Sequence, residues 1–258
     1  VQWLSLFLAE LGNDGLVLAI LARFLPLSTA AASHVRQRVT HIVGTLINTL
    51  TEEAEIDEDF WAEITQAMAD RLIDRIPAVR AAAVVALERM QILPEDEGDE
   101  FDADEEAIVP SLDTPLKRRK HASEFMDASG FDDPILSRFV ALLQADSSKH
   151  VRAAVLHKLA LAPSTLPLVI ERTRDVDAKV RKAAYAVLAA KVDMRGLNIA
   201  QRVTLLDSGL RDRDDAVRNA ALSMMYTGWL KEFFEGDVTG FLDALDVIES
   251  DEKLVPAL

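Results

Sequence analysis

The chain has 258 residues, 50% of them hydrophobic, which is enough to bury a sizeable core in one or two domains. It contains no cysteine, so disulfide bonds and cysteine-ligated zinc sites are excluded, and the composition fits a reducing cytosolic or nuclear setting. The formal net charge of −15 argues, on its own, against a nucleic-acid partner.

The apolar opening of the chain, residues 1–27, does not predict a membrane span or a signal peptide. Five residues interrupt it: Glu10, Asn13, Asp14, Arg23 and Pro26. The apolar runs between them are too short to cross a bilayer, so no membrane partner is expected. Because the first residue is Val1 rather than methionine, we expect a fragment or a processed chain.

A Val-Arg pair that opens an alanine-rich apolar run recurs along the chain. The five copies are Val35-Arg36, Val79-Arg80, Val151-Arg152, Val180-Arg181 and Val217-Arg218. Their spacings are 44, 72, 29 and 37 residues. Removing roughly 30 inserted residues from the longest interval brings it into the range of about 40 to 47 that is typical of HEAT and armadillo repeats.

A second helical segment precedes these alanine-rich runs. Residues 60–72, 134–143 and 199–210 carry apolar side chains at the i, i+3, i+4 spacing of an amphipathic helix. Each unit is therefore a helix, a short turn and a helix, whose apolar face is buried only when neighbours stack. The pattern predicts an all-α fold, a HEAT-repeat α-solenoid built as a superhelical stack of about five to six antiparallel helix pairs.

One segment, residues 94–130, interrupts the repeats. It begins with nine acidic residues between Glu95 and Glu106, continues through two prolines, and ends with the basic cluster Lys117, Arg118, Arg119 and Lys120. Low apolar content and blocks of like charge predict a disordered insertion between HEAT repeats at residues 1–93 and further repeats of the same solenoid at 131–258. The basic cluster is typical of a nuclear-localisation or nucleic-acid patch, although such clusters are common by chance.

The acidic insertion hides a positive tract. Between Ser147 and Lys231 there are fifteen Lys and Arg against eight Asp and Glu. Seven cations near the starts of second helices or in turns are candidates for contact with the DNA backbone: Arg36, Arg38, Lys149, Lys179, Lys182, Arg211 and Arg213. Helix starts present free backbone N–H groups and a positive dipole end, which suit phosphate. Solvation of a helix face is the alternative for each of these cations.

The remaining Val-Arg arginines favour a structural interpretation. Four copies of the repeat carry an aspartate six residues before the arginine, a spacing typical of a ladder that links neighbouring HEAT repeats by hydrogen-bonded charges. The ladder residues are Asp74 with Arg80, Asp146 with Arg152, Asp175 with Arg181, and Asp212 with Arg218. Arg36 has Ala30 at that position, so we expect it to lack the acidic partner.

Catalytic and metal-binding motifs are not apparent. The histidine pairs His34/His41 and His150/His157 are each seven residues apart, but no neighbouring carboxylate completes a metal site, so packed or solvated histidines are favoured. The sequence shows no glycine-rich phosphate loop, nucleophile elbow or kinase signature. A non-enzymatic protein without a cofactor is expected.

From Thr165 to Val247 the sequence strongly resembles the CAP-G family of non-SMC condensin subunits (condensin complex subunit 3). The segments that carry the resemblance are Arg172-Thr173-Arg174-Asp175-Val176, Val180-Arg181-Lys182, Lys191-Val192-Asp193-Met194-Arg195, Ile199-Ala200-Gln201-Arg202-Val203, Gly209-Leu210-Arg211-Asp212-Arg213 and Gly228-Trp229-Leu230. The likeness extends upstream through residues 23–39 and 74–80. It excludes residues 94–130, where the family has a shorter link.

The resemblance implies a HEAT solenoid that clasps a kleisin subunit of the CAP-H type and, together with it, binds double-stranded DNA independently of base sequence. It implies that the ATPase activity belongs to the SMC heterodimer, which would be an indirect partner of this chain. It also implies a role in mitotic chromosome condensation, in the nucleus and on mitotic chromosomes, with a cytoplasmic pool. Two alternatives stay open. One is a generic HEAT scaffold or nuclear-transport adaptor that binds peptides, and the other is a HEAT-fold metalloenzyme.

Overall fold

A computed structural model describes residues 13–51, 54–92, 131 and 133–245, and the secondary structure in these ranges is helical with no strand. The predicted all-α class is therefore confirmed, and the helices occur as the predicted pairs. None of the helices in these ranges is both long and apolar enough to cross a membrane. The chain divides into two compact units, residues 1–160 and 161–258.

The first unit contains three described helix pairs. Its helices are α1 (Asp14–Phe24), α2 (Ser33–Ile47), α3 (Glu58–Arg71), α4 (Pro77–Ala86), α5 (Pro134–Ala145) and α6 (Lys149–Lys158). In each pair the first helix packs against the second, and the second helices pack on one another in order, α2 against α4 and α4 against α6. The predicted segments 60–72 and 134–143 correspond to α3 and α5.

Small residues allow the second helices to approach closely. Gly44 of α2 faces Ala86 of α4, and a Cβ atom at position 44 would lie 2.8 Å from the Ala86 Cα and 2.9 Å from its Cβ. Larger apolar side chains fill the space around this contact, among them the fully buried Val43, Ile64 and Val84. The alanine-rich composition of the second helices thus sets the distance between neighbouring pairs.

Residues on either side of the undescribed stretch 93–130 meet at one carboxylate, that of Asp133. Asp133 begins α5 by accepting the backbone N–H groups of Ile135 and Leu136 at 3.1 Å each, and its Oδ2 also accepts the Ile92 N–H at 2.8 Å. Because α4 packs on α6 as α2 packs on α4, the repeat stacking continues across the insertion. The predicted disorder of residues 94–130 concerns residues outside the described ranges.

Side chains that follow α4 bind the end of α6. Gln91 donates from Nε2 to the Lys158 carbonyl at 2.7 Å, and its Oε1 accepts the Ala160 N–H at 2.9 Å. Lys158 Nζ lies 2.6 Å from Glu88 Oε2. Both expected boundaries, at residues 93 and 131, lie inside the first compact unit, residues 1–160.

The second unit contains two helix pairs and a further helix. Its elements are α7 (Leu166–Glu171), α8 (Ala178–Lys191), α9 (Ile199–Leu210), α10 (Asp215–Ser223), a π-helical segment (Met224–Phe233) and α11 (Val238–Ala244). The second helices α8 and α10 pack on each other. Tyr185 of α8 is fully buried at this contact, where its hydroxyl donates to the Leu205 carbonyl at 3.0 Å.

Candidate nucleic-acid interface

Arginine–aspartate pairs join consecutive helix pairs in the first unit. Arg36 of α2 donates from Nε to Oδ2 of Asp74 at 2.7 Å and from Nη2 to Oδ1 at 3.1 Å. Arg80 of α4 binds Asp146 in the same way, at 2.7 and 2.8 Å. Both bonds are charge-assisted and bidentate, which is the strong form of such a contact. Each arginine therefore reaches the aspartate of the following pair rather than that of its own.

The second unit repeats this geometry. Arg181 of α8 donates to both carboxylate oxygens of Asp212 at 2.6 and 2.8 Å, and both side chains are buried. Hydrogen bonding to the Arg181 guanidinium lowers the pKa of Asp212, and the same bond raises the pKa of Arg181. The two charges compensate each other, so neither is available to a ligand.

A second set of bonds ties each arginine to its own repeat. Nη1 donates to the backbone carbonyl six residues earlier. The acceptors are Ala30 for Arg36, Asp74 for Arg80, Asp146 for Arg152, Asp175 for Arg181 and Asp212 for Arg218, at 2.6–2.9 Å. In the same turns Oδ1 of Asp74, Asp146, Asp175 and Asp212 accepts the N–H two residues further on. The six-residue spacing thus closes the turn between the two helices.

Arg36 differs from the expectation that it lacks an acidic partner. Asp74 of the next pair supplies the carboxylate, and the pKa of Asp74 is lowered mainly by this bond. The missing aspartate at Ala30 has no effect on the contact within the repeat, because the acceptor there is a backbone carbonyl that any residue provides. Arg36 is therefore a ladder residue whose guanidinium is occupied by Asp74 and by two backbone carbonyls, which leaves little of it for a phosphate.

Arg218 marks a change in the ladder. It donates to the Asp212 carbonyl at 2.6 Å like the others, but its side-chain partner is Asp215, one turn earlier in its own helix. Its side chain is also more exposed than those of Arg36, Arg80 and Arg181.

Three of the candidate cations are exposed, and their side chains have no hydrogen-bond or ion-pair partner among the described residues. Lys179 and Lys182 lie one turn apart on the exposed face of α8, in the second unit. Arg38 lies on the exposed face of α2, in the first unit. These side chains have their full charge available to a polyanion.

The other three candidates are more constrained. Lys149, the first residue of α6, is half-buried. Arg211 forms an ion pair with Asp207 at 3.0 Å. Arg213 is exposed, and its Nη2 lies 3.4 Å from the Val176 carbonyl, which places the turn before α10 next to the turn before α8.

In the second unit, contrary to expectation, aspartate side chains cap the helix starts beside the candidate cations, whereas no side chain caps α2 or α6. Asp177 caps α8 and accepts the Lys179 N–H at 2.9 Å, and Asp214 caps α10 and accepts the Ala216 N–H at 2.9 Å. A carboxylate at the N-cap also opposes the approach of a phosphate. Any contact with DNA in the second unit must therefore come from the side chains.

Sequence reasoning missed one exposed cation in the turn before α8. Arg174 directly precedes the ladder aspartate Asp175, is exposed, and has no hydrogen-bond or ion-pair partner among the described residues. Arg211 occupies the same position before Asp212, so alignment of the two turns would have identified it. Across residues 161–245 twelve Lys and Arg are matched by twelve Asp and Glu, and any positive surface must arise from the placement of unpaired cations rather than from their number.

The remaining candidates do not form a site in the described part of the chain. His34, His41, His150 and His157 are exposed on second helices. Among the described residues no group of three or more His, Asp or Glu is placed to hold a metal ion. The basic cluster at residues 117–120 lies outside the described ranges.

Comparison with known proteins gives consistent results, although no protein-family model matches the chain. Condensin complex subunit 3 of Homo sapiens is 39% identical over 247 residues, which is 95% of this chain and 21% of that protein. The Xenopus laevis protein of the same name is 38% identical over 89% of this chain and 19% of its own length. The Schizosaccharomyces pombe protein is 33% identical over 87% and 21%. The chain spans about a fifth of these relatives.

A solved structure agrees with the sequence relatives. The crystal structure of the S. pombe condensin Cnd3–Cnd2 subcomplex matches with a TM-score of 0.75 and 31% sequence identity, over 97% of this chain and 28% of the matched chain. The resemblance inferred from residues 165–247 is thereby extended to nearly the whole chain. Over the segment that it covers, the chain belongs to the family of condensin complex subunit 3.

Proposed function

We propose that this chain is part of a DNA-binding HEAT subunit of condensin, which clasps a kleisin subunit and double-stranded DNA during mitotic chromosome condensation. The observation that carries the DNA part is the pair Lys179 and Lys182, exposed on one face of α8 without partners among the described residues, while the ladder arginine beside them is neutralised. Family membership supports the condensin assignment.

Contact with DNA would be made to phosphates. Arg174, Arg213 and the two α8 lysines lie near the turns of the second unit, and Arg38 offers a separate cation in the first unit. Such contacts neutralise backbone charge and release counterions, so binding is independent of base sequence and weakens steeply with salt. We propose no catalytic step for this chain; the resemblance assigns ATP hydrolysis to the SMC subunits.

The kleisin is the proposed protein partner, because the matched S. pombe structure is a complex of Cnd3 with Cnd2. Its contribution would be to close over DNA held at the exposed second-helix surface. Localisation to the nucleus and to mitotic chromosomes, with a cytoplasmic pool, follows from the same proposal.

Fluorescence anisotropy with two unrelated duplexes tests the DNA role. The chain should bind both equally, alone or with the recombinant kleisin subunit, and the affinity should fall when the salt concentration is raised from about 50 to about 200 mM, the usual range of such titrations. Charge reversal by Lys179→Glu with Lys182→Glu should weaken binding to both duplexes and reduce the salt slope by about 1 for each phosphate that the side chains no longer neutralise.

The control for this experiment is a double variant of the same charge. Arg23→Glu with Lys231→Glu changes two exposed cations outside the second-helix face and should leave the affinity within about twofold, by the screening expected of remote charges. Thermal melts followed by circular dichroism verify that both variants fold. Equal losses of affinity in the two double variants, or no salt-dependent binding with the kleisin present, would refute the proposed interface.

A further inference from the structure

A shallow groove with an apolar floor lies between α3 and α5 in the first unit. Its volume is about 220 Å³, and the residues that form its floor and rim include Ile73, Arg138, Ala141, Leu142 and Ala145. It lies where the first helices of two consecutive pairs end. None of the cations proposed above to contact DNA lines it.

Two isoleucines are presented to solvent at the turn beside this groove. Ile73 is 66% exposed and Ile76 is 37% exposed. Ile76 is the N-cap residue of α4, where it supplies no side-chain acceptor. Ile73 lines the groove and Ile76 follows it in the same turn, so apolar side chains meet solvent at this edge of the groove.

The charge around the groove is positive. The carboxylates of Asp74 and Asp146 are bound by the ladder arginines and are not available. Arg138, on the rim, is exposed and has no hydrogen-bond or ion-pair partner among the described residues, and the same is true of Arg75 in the adjoining turn. These two cations complement a negatively charged ligand.

We propose that this groove docks an acidic peptide segment of a partner protein, with one or two aliphatic or aromatic side chains on the floor and flanking carboxylates on Arg138 and Arg75. The volume holds side chains rather than a folded domain, and apolar anchors with charged flanks are a common mode of peptide recognition. Nucleic acid fits less well, because most of the lining residues are apolar and the exposed isoleucines would remain in contact with water.

A displayed library of twelve-residue peptides, each with four fixed Asp or Glu and the other positions random, tests the proposal on the 258-residue chain. Peptides with a leucine, isoleucine or phenylalanine between the acidic residues should be enriched. The Kd of an enriched peptide should rise at least tenfold in Arg138→Glu and in Ile73→Asp. It should stay within twofold in Arg38→Glu and Leu242→Asp, which change an exposed cation and an exposed apolar residue elsewhere.

Several outcomes would overturn the assignment. The assignment fails if peptides with an apolar residue between the acidic ones are not enriched. It also fails if an enriched peptide binds all four variants equally. Peptide binding seen only after deletion of residues 94–130 would assign the groove to the acidic segment of the same chain. Concentration-dependent dimerisation that Ile73→Asp abolishes would assign it to a second copy. Competition by a duplex would assign it to DNA. Melting curves identify any variant that fails to fold.

Discussion

Arg181 and Asp212 belong to consecutive helix pairs, yet they are joined by two hydrogen bonds of 2.6 and 2.8 Å while Arg181 also holds the carbonyl of Asp175 in its own repeat. One guanidinium therefore fixes both the turn inside a repeat and the position of the next repeat. The contribution of this buried pair to the free energy of unfolding can therefore be compared with that of an exposed ion pair.

Replacing Asp212 by Asn should destabilise the second unit by about 3 kcal/mol, because the Arg181 guanidinium would be left buried with a neutral partner. Urea unfolding measures this as a lower midpoint. The control is Arg211→Ala, which removes a half-exposed ion pair with Asp207 and should cost under about 1 kcal/mol. Similar losses of stability in the two variants would show that the ladder pair behaves like a surface pair.

The stability of the chain should also depend on acid pH through the ladder aspartates. The pKa values of Asp74 and Asp212 are lowered in the folded state, mainly by hydrogen bonds from Arg36 and Arg181. Their stabilisation is therefore complete above the unfolded pKa of about 3.9 and is lost as the pH falls below it, through the lower folded values. Urea midpoints measured between neutral and acid pH follow this change.

The matched control for the pH dependence is the double variant Asp212→Asn with Arg181→Gln. It removes one titrating group together with its charged partner, so its midpoint should fall less steeply below the unfolded pKa than that of the unchanged chain. An unchanged slope would mean that other carboxylates dominate the acid unfolding.

Gly209→Ala should destabilise the second unit even though alanine favours helix. A Cβ at position 209 would lie 2.5 Å from the Ala221 Cβ and 2.8 Å from the Tyr185 ring. Overpacking of this kind costs about 1–3 kcal/mol, more than the gain of up to about 1 kcal/mol in helix propensity. Thermal melts of the two variants measure the difference. Gly196→Ala, where nothing lies within 4 Å of the added atom, should be neutral or slightly stabilising.

Asp133→Ala should weaken both the start of α5 and the attachment of Ile92. The carboxylate accepts three backbone N–H groups, so about 2 kcal/mol should be lost, compared with about 1 kcal/mol for Asp57→Ala, which removes a single exposed cap bond. Hydrogen exchange of the Ile92 amide should accelerate in the first variant and not in the second. Protection of Ile92 in Asp133→Ala would contradict this account.

The helices could be predicted from sequence because the apolar period and the turns are local signals. The segment 199–210 coincides with α9, and 134–143 falls short of the end of α5 by only two residues. The register of the ladder could not be predicted in full. The six-residue spacing identified the arginines, but the carboxylate that each binds lies 31 to 66 residues further along the chain, and the contact within the repeat uses a backbone oxygen that leaves no trace in the sequence.

The candidate interface was predictable only in part for a similar reason. Lys179 and Lys182 were identified from their place after the turn, and they are exposed. The caps at Asp177 and Asp214 are a local signal, since aspartate is among the preferred N-cap residues. Which cations remain without partners, by contrast, depends on contacts between repeats, and a single sequence does not specify them.

The 2.8 Å hydrogen bond from the Ile92 N–H to Oδ2 of Asp133 has a consequence for changes in the length of the chain between these two residues. Since the polypeptide departs and returns at one spot, residues can be gained or lost between those two positions while α4 and α6 keep their packing. Doubling the length of that excursion costs only about 0.6 kcal/mol of closure entropy. A longer or shorter chain between those two positions should therefore leave the packing of the helices on either side unchanged.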